Sequence, residues 1–173
     1  MALIKYVPDE LYASILRSTE TANILRAIFN APAWAQALLK LASTHVAQLD
    51  LPAKDREIVT LRTAHNYSAS HVADLREAAA VHHGLDAVEI AELRQDFYDA
   101  SVFDTKHKHL LEFIDMLSFS STNNPNKIQA LKAYYNDQHI IEILVIHGLA
   151  YIVAKATVSL DMEPDQSSKR RPD

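Results

Sequence analysis

Residues 51–85 read LPAKDREIVTLRTAHNYSASHVADLREAAAVHHGL, and the fold is decided there. Asp50, Leu51 and Pro52 open a helix, because a proline in the first turn lacks only an N–H that would be unpaired anyway. The polar break from Asn66 to Ser70 ends it and places Ser68 or Ser70 to cap a second helix. That helix carries Val72, Leu75 and Ala79 at helical spacing and stops at Gly84, the residue best suited to a left-handed terminus. The stretch is therefore a helix, a short turn and a helix, with Glu57 on the first and His71 and Arg76 on the second.

Outward from this segment the same punctuation recurs. Residues 9–30 place Leu11, Ile15, Ile24, Ile28 and Phe29 among polar residues, as one long or two short amphipathic helices. Pro32 starts another, with Trp34, Leu38 and Leu41 on its apolar stripe. Towards the C-terminus, helices are predicted over 87–100, 104–118, 125–135 and about 137–160, with residues 120–124 (SSTNN) as the clearest loop. The last helix is apolar around most of its circumference, so it is central in the domain or shared between subunits. DREIVTLRTAHNY and HIIEILVIHGLAY show a faint internal similarity that pairs Glu57 with Glu142.

Composition agrees with an all-α class. The chain has 173 residues, 49% of them hydrophobic, and only two glycines, Gly84 and Gly148. That suffices for one buried core and disfavours multi-turn β architecture and Gly-rich phosphate loops. One helical domain is expected over residues 1–163, followed by a polar tail over 164–173.

A formal net charge of −5 provides no basic face for nucleic acid. The absence of cysteine excludes disulfides, thiolate metal sites and thiol catalysis. Lys5, Pro8, Asp9 and Glu10 interrupt the N-terminal segment before an apolar leader develops, and no apolar run reaches about 18 residues. The expectation is a cytoplasmic protein with no membrane and no nucleic-acid partner.

The 51–85 segment resembles the active-site segment of the carboxymuconolactone decarboxylase and alkylhydroperoxidase-D-like superfamily. In the peroxidase branch, a glutamate is followed by a Cys-x-His-Cys-x-x-x-His motif. Counting from Glu57, the cysteine positions fall on Ala69 and Val72, the relay histidine on His71 and the last histidine on Arg76, with Gly84 and Leu85 in register without a gap. The similarity extends over roughly residues 23–163, although only Glu57 to Leu85 carries functional specificity. It implies an all-α helical bundle assembled as a homo-oligomer, with a pocket between the Glu57 and His71 helices. It also implies that the acid/base half of the site is kept and the redox half is lost.

Each candidate has a plain structural alternative. Glu57 lies near a helix start, where a carboxylate is favoured by the helix dipole alone. Paired with His71, it would fix the imidazole tautomer and raise its basicity, as a proton shuttle requires. Arg76 stays charged, and its planar donor fork suits a carboxylate or enolate oxygen. Its alternative is surface pairing with Asp74 or Glu77, although i,i+1 and i,i+2 partners do not face each other on a helix.

The nine histidines do not form a metal signature. His82 and His83 diverge by about 100° on a helix, His107 and His109 diverge similarly, and His139 and His147 are about 12 Å apart by helical rise. No metal and no cofactor are expected. Tyr67, Tyr134, Tyr135 and Tyr151 read as core tyrosines, and Lys155 as a cation that reaches water from an apolar helix.

These readings point to a cofactor-independent lyase or isomerase acting on a small, anionic or enolisable substrate. In it Arg76 holds the anion while Glu57 and His71 move the proton. The decarboxylase branch commonly has tyrosine in place of His71 and histidine in place of Arg76, so the substrate is not inherited. The alternative is a non-catalytic binding or scaffold protein that keeps the fold. A thiol peroxidase is disfavoured because the chain has no thiol.

Overall fold

The structure is a computed structural model and describes residues 2–8, 23–122 and 124–163. Its described elements are helices α1 (Asn23–Ile28), α2 (Pro32–Ala47), α3 (Ala53–Asn66), α4 (Ser70–His82), α5 (Ala87–Leu93), α6 (Thr105–Phe119), α7 (Pro125–Lys132) and α8 (Asp137–Ser159). A 3-10 turn at Ala100–Val102 joins α5 to α6. The class is all-α. Residues 9–22 of the helical segment expected over 9–30, and the tail over 164–173, lie outside the described residues.

The α3 helix is the hub, packed against α4, α6 and α8. It inserts Ile58, Val59 and Leu61 between Leu110, Leu111 and Ile114 of α6 and Ile143 of α8, all fully buried. Burial of each such side chain stabilises the fold by about 1.5–3 kcal/mol relative to exposure. The α8 stripe Ile140, Ile143, His147, Ala150, Ala154 and Thr157 follows the i,i+3/i+4 rule and forms its buried face. By length and composition, α8 could cross a bilayer, which the sequence reading did not anticipate. Packing along α3 gives it a core role in this chain.

Local chemistry sets most boundaries. Asp86 caps α5 in a reciprocal capping box with Glu89, and Asp104, Asn124 and Asn136 cap α6, α7 and α8 through side-chain oxygens. At the end of α4, Gly84 adopts φ +96°, with its N–H on the Val81 carbonyl and the Leu85 N–H on that of Ala80. This paired terminus satisfies two otherwise orphaned carbonyls.

The α3–α4 turn departs from expectation. Neither Ser68 nor Ser70 caps α4; the capping position is Ala69, without a side-chain hydrogen bond. Ser68 instead takes φ +59°, and the Ser68 and Ala69 N–H groups bond back to the His65 and Ala64 carbonyls, repeating the α4 terminus without glycine. Asp161, at φ +49°, ends α8 in the same way.

Two helices are shorter than predicted. The 87–100 helix stops at Leu93, because the Gln95 carbonyl accepts a 2.6 Å hydrogen bond from the buried Arg62 guanidinium and the Asp99 N–H donates to Glu92. The 125–135 helix stops at Lys132, after which Tyr135 turns into the core.

Candidate functional site

Glu57 lies on α3, only 1% exposed, which leaves its carboxylate to be satisfied by protein groups. Arg76, halfway along α4, meets it side-on. Nε donates to Oε2 at 3.2 Å, and Nη2 donates to Oε1 in a short contact. His83, the residue that closes α4, places Nδ1 3.0 Å from the same Oε1. A carboxylate only accepts, so Nδ1 carries the proton. The three groups tie α4 to α3 at its middle and at its end.

The pairing expected between Glu57 and His71 is not what forms. Among the described residues, Arg76 and His83 hold the carboxylate, while His71 sits in the first turn of α4, half-buried and facing elsewhere. The surface alternative for Arg76 also falls away, because Asp74 and Glu77 are both engaged by Arg94 at 2.9 and 3.0 Å.

His71 and Arg76 nevertheless share a cavity of about 180 Å3. Its walls come from α1 (Asn23, Ile24), α4 (Val72, Leu75) and α8 (Val153, Thr157), with Met162 and Glu163 completing the lining. The expected pocket between the Glu57 and His71 helices is thus displaced to the flank of α4 that faces α1 and α8. Among the described residues α3 and α4 pack directly, with the small Ala73 and Ala80 buried on α4, and Glu57 does not line the cavity. Ala69 and Val72, at the positions where the resembling family has its cysteines, are buried, and Val72 forms part of the cavity wall.

His83 is the site residue that sequence reasoning missed. Its signal was the seven-residue interval from Arg76, which places two side chains on one helical face two turns apart. Glu142, paired with Glu57 by internal similarity, does something different. Its carboxylate accepts from the Leu51 and Asp50 N–H groups and fastens the approach to α3.

Two further polar clusters support the hub. Asp55, buried in the first turn of α3, accepts from His107 Nε2 at 2.9 Å and pairs with Lys106 at 2.6 Å. Burial pushes its carboxyl up, but the bonds from His107 and Lys106 outweigh this and hold it below the usual carboxylate range. Burial beside that carboxylate pushes the Tyr135 hydroxyl well above its ordinary range. On the α8 side, His147 Nδ1 meets Thr63 Oγ1 at 2.9 Å, and burial lowers the imidazole below its ordinary value. Lys155 is exposed, as expected of a cation that reaches water, and its Nζ lies 5.1 Å from the centre of the Tyr67 ring.

Comparison with solved structures decides the architecture. The chain superimposes on an uncharacterized peroxidase-related protein from Silicibacter sp. TM1040 with a TM-score of 0.76 and 16% identity, covering 98% of this chain and 92% of that one. An alkylhydroperoxidase AhpD core structure, an uncharacterized peroxidase-related protein from Ralstonia eutropha JMP134, matches with a TM-score of 0.75 and 14% identity, covering 96% and 93%. The chain has the AhpD-core fold. No family model and no curated protein sequence matches it. This AhpD-core chain contains no cysteine, so no thiol chemistry is available to it.

Proposed function

We propose that the protein is a cofactor-independent lyase or isomerase that moves a proton on a small carboxylated or enolisable compound. The observation that supports this is the shared cavity: a histidine and an arginine, together with Asn23 and Glu163, line one largely aliphatic recess, and a buried carboxylate grips the arginine from behind. A volume of about 180 Å3 suits a ligand smaller than those of the roughly 300–1,000 Å3 sites typical of drug-sized molecules.

The geometry supports a role for each residue in this reading. Glu57 does not line the cavity and acts as the positioning residue for Arg76. The Arg76 Nη1 amino group makes no hydrogen bond to Glu57 and remains to donate to a ligand oxygen. His71 gives or takes the proton, and the apolar walls strengthen both interactions by excluding water. The substrate is anionic or becomes so in the transition state, and the protein works as a homo-oligomer without metal or cofactor.

One observation favours a second reading, a binding or scaffold protein. The Glu57 carboxylate is fully used by Arg76 and His83, as a purely structural ion pair would be. Turnover measurements on a panel of lactones and 2-keto acids decide between them. Under the first reading, His71→Phe lowers kcat with little change in ligand affinity, and Arg76→Met weakens both. Arg76→Lys recovers only part, because an ammonium lacks the planar fork. A panel without turnover in the parent, or parental kinetics in both His71→Phe and Arg76→Met, removes the enzymatic reading.

A further inference from the structure

We infer that His83 is a positioning residue for the Arg76 anion contact, acting by supplying Glu57 with the hydrogen bond that Arg76 alone does not provide. The inference rests on the cavity reading of Arg76 given above. It starts from a shared atom: Glu57 Oε1 receives both Arg76 Nη2 and His83 Nδ1.

Glu57 and a cavity-bound anion compete for one guanidinium. A carboxylate that is 1% exposed has no water to satisfy it, so every donor given to it by another residue lessens its demand on Arg76. His83 is built to be that donor. It closes α4, the φ +96° of Gly84 turns the chain immediately after it, and Leu85 is buried, so the backbone delivering Nδ1 is fixed on both sides. The acceptor-only carboxylate in turn fixes the neutral ring as the Nδ1–H tautomer.

Removing the imidazole would leave Oε1 short of a donor inside the protein and concentrate the carboxylate on Arg76. The guanidinium would then be drawn from the cavity. An asparagine at the same position keeps an N–H near the place of Nδ1 and should preserve the arrangement. Residues on the cavity side, such as His71 and Leu75, would be unaffected by either change.

Long-range 1H–15N NMR of the parent, His83→Phe and His83→Asn tests this first without ligand. The parent should show His83 as the Nδ1–H tautomer. His83→Phe should shift the Arg76 Nε–H proton downfield as the ion pair tightens, and His83→Asn should return it. An Nε2–H tautomer in the parent, or an Arg76 signal indifferent to His83→Phe in a folded variant, overturns the role. Benzoate titration is the second readout, with binding about tenfold weaker in His83→Phe and restored in His83→Asn. Unchanged benzoate affinity in His83→Phe overturns the inference. No benzoate binding by the parent overturns the cavity reading itself, even if the Arg76 signal still responds to position 83.

Discussion

Glu57 and Arg76, nineteen residues apart and on different helices, are joined through both oxygens of the carboxylate and two nitrogens of the guanidinium. One partner is buried and the other a third exposed, so the pair spans the boundary between core and cavity. Removing the exposed partner of such a pair costs more than removing the buried one, because it leaves the buried carboxylate's charge without compensation.

Arg76→Met should therefore destabilise the fold by about 2 kcal/mol, and Glu57→Gln by a similar amount or less. Urea unfolding of the two single variants and the double variant measures it. Strict additivity in the double-mutant cycle would show that the contact contributes nothing to stability.

Stability should fall with acid in two windows. The His147 imidazole has a folded value depressed below 6.5, so the unfolded chain binds the extra proton first. Its contribution is present above about 6.5 and is lost as pH falls towards the folded value. Asp55 has a folded value depressed below 3.8, so its contribution persists to lower pH and is lost as pH falls through the folded value. Calorimetric Tm measured between pH 8 and 5 should decline less in His147→Gln than in the parent. An identical slope in both would remove His147 as the cause.

The left-handed positions give a pair of opposite changes. Ser68→Gly relieves φ +59° in a side-chain-bearing residue and should raise stability by about 0.5 kcal/mol. Gly84→Ala meets no atom within 4 Å, yet φ +96° strains any L side chain, and a loss of about 1 kcal/mol is expected. Thermal melts of the same sign for both variants would contradict the backbone argument.

Assembly should be visible in solution. On α8, Ile141 is 59% exposed, and Leu144, Val145 and Ile152 are also exposed on a helix otherwise packed into the core. The protein should elute above its 19.4 kDa chain mass, and Val145→Glu should shift it towards monomer while retaining helical circular dichroism. A parent that is monomeric at micromolar concentration ends this expectation.

Hydroperoxide consumption with a dithiol donor should not exceed that of a heat-killed control, since the chain has no cysteine. Sustained turnover would require chemistry that no side chain of this protein supplies.

The sequence by itself determined the elements whose causes are local. Pro32 and Pro52 mark helix starts because a missing N–H is harmless there, and Gly84 marks a stop because only glycine reaches its φ without strain. The helical period of residues 51–85 was legible for the same reason, as was the loss of thiol chemistry. Tertiary structure alone decided what required two distant segments. It set which face of α4 meets α3, and so gave Glu57 to Arg76 and His83 rather than to His71. It brought Arg62 to the Gln95 carbonyl and cut α5 short, and it opened the cavity against α1 and α8. Spacing along one helix states which side chains share a face; only packing states what that face touches.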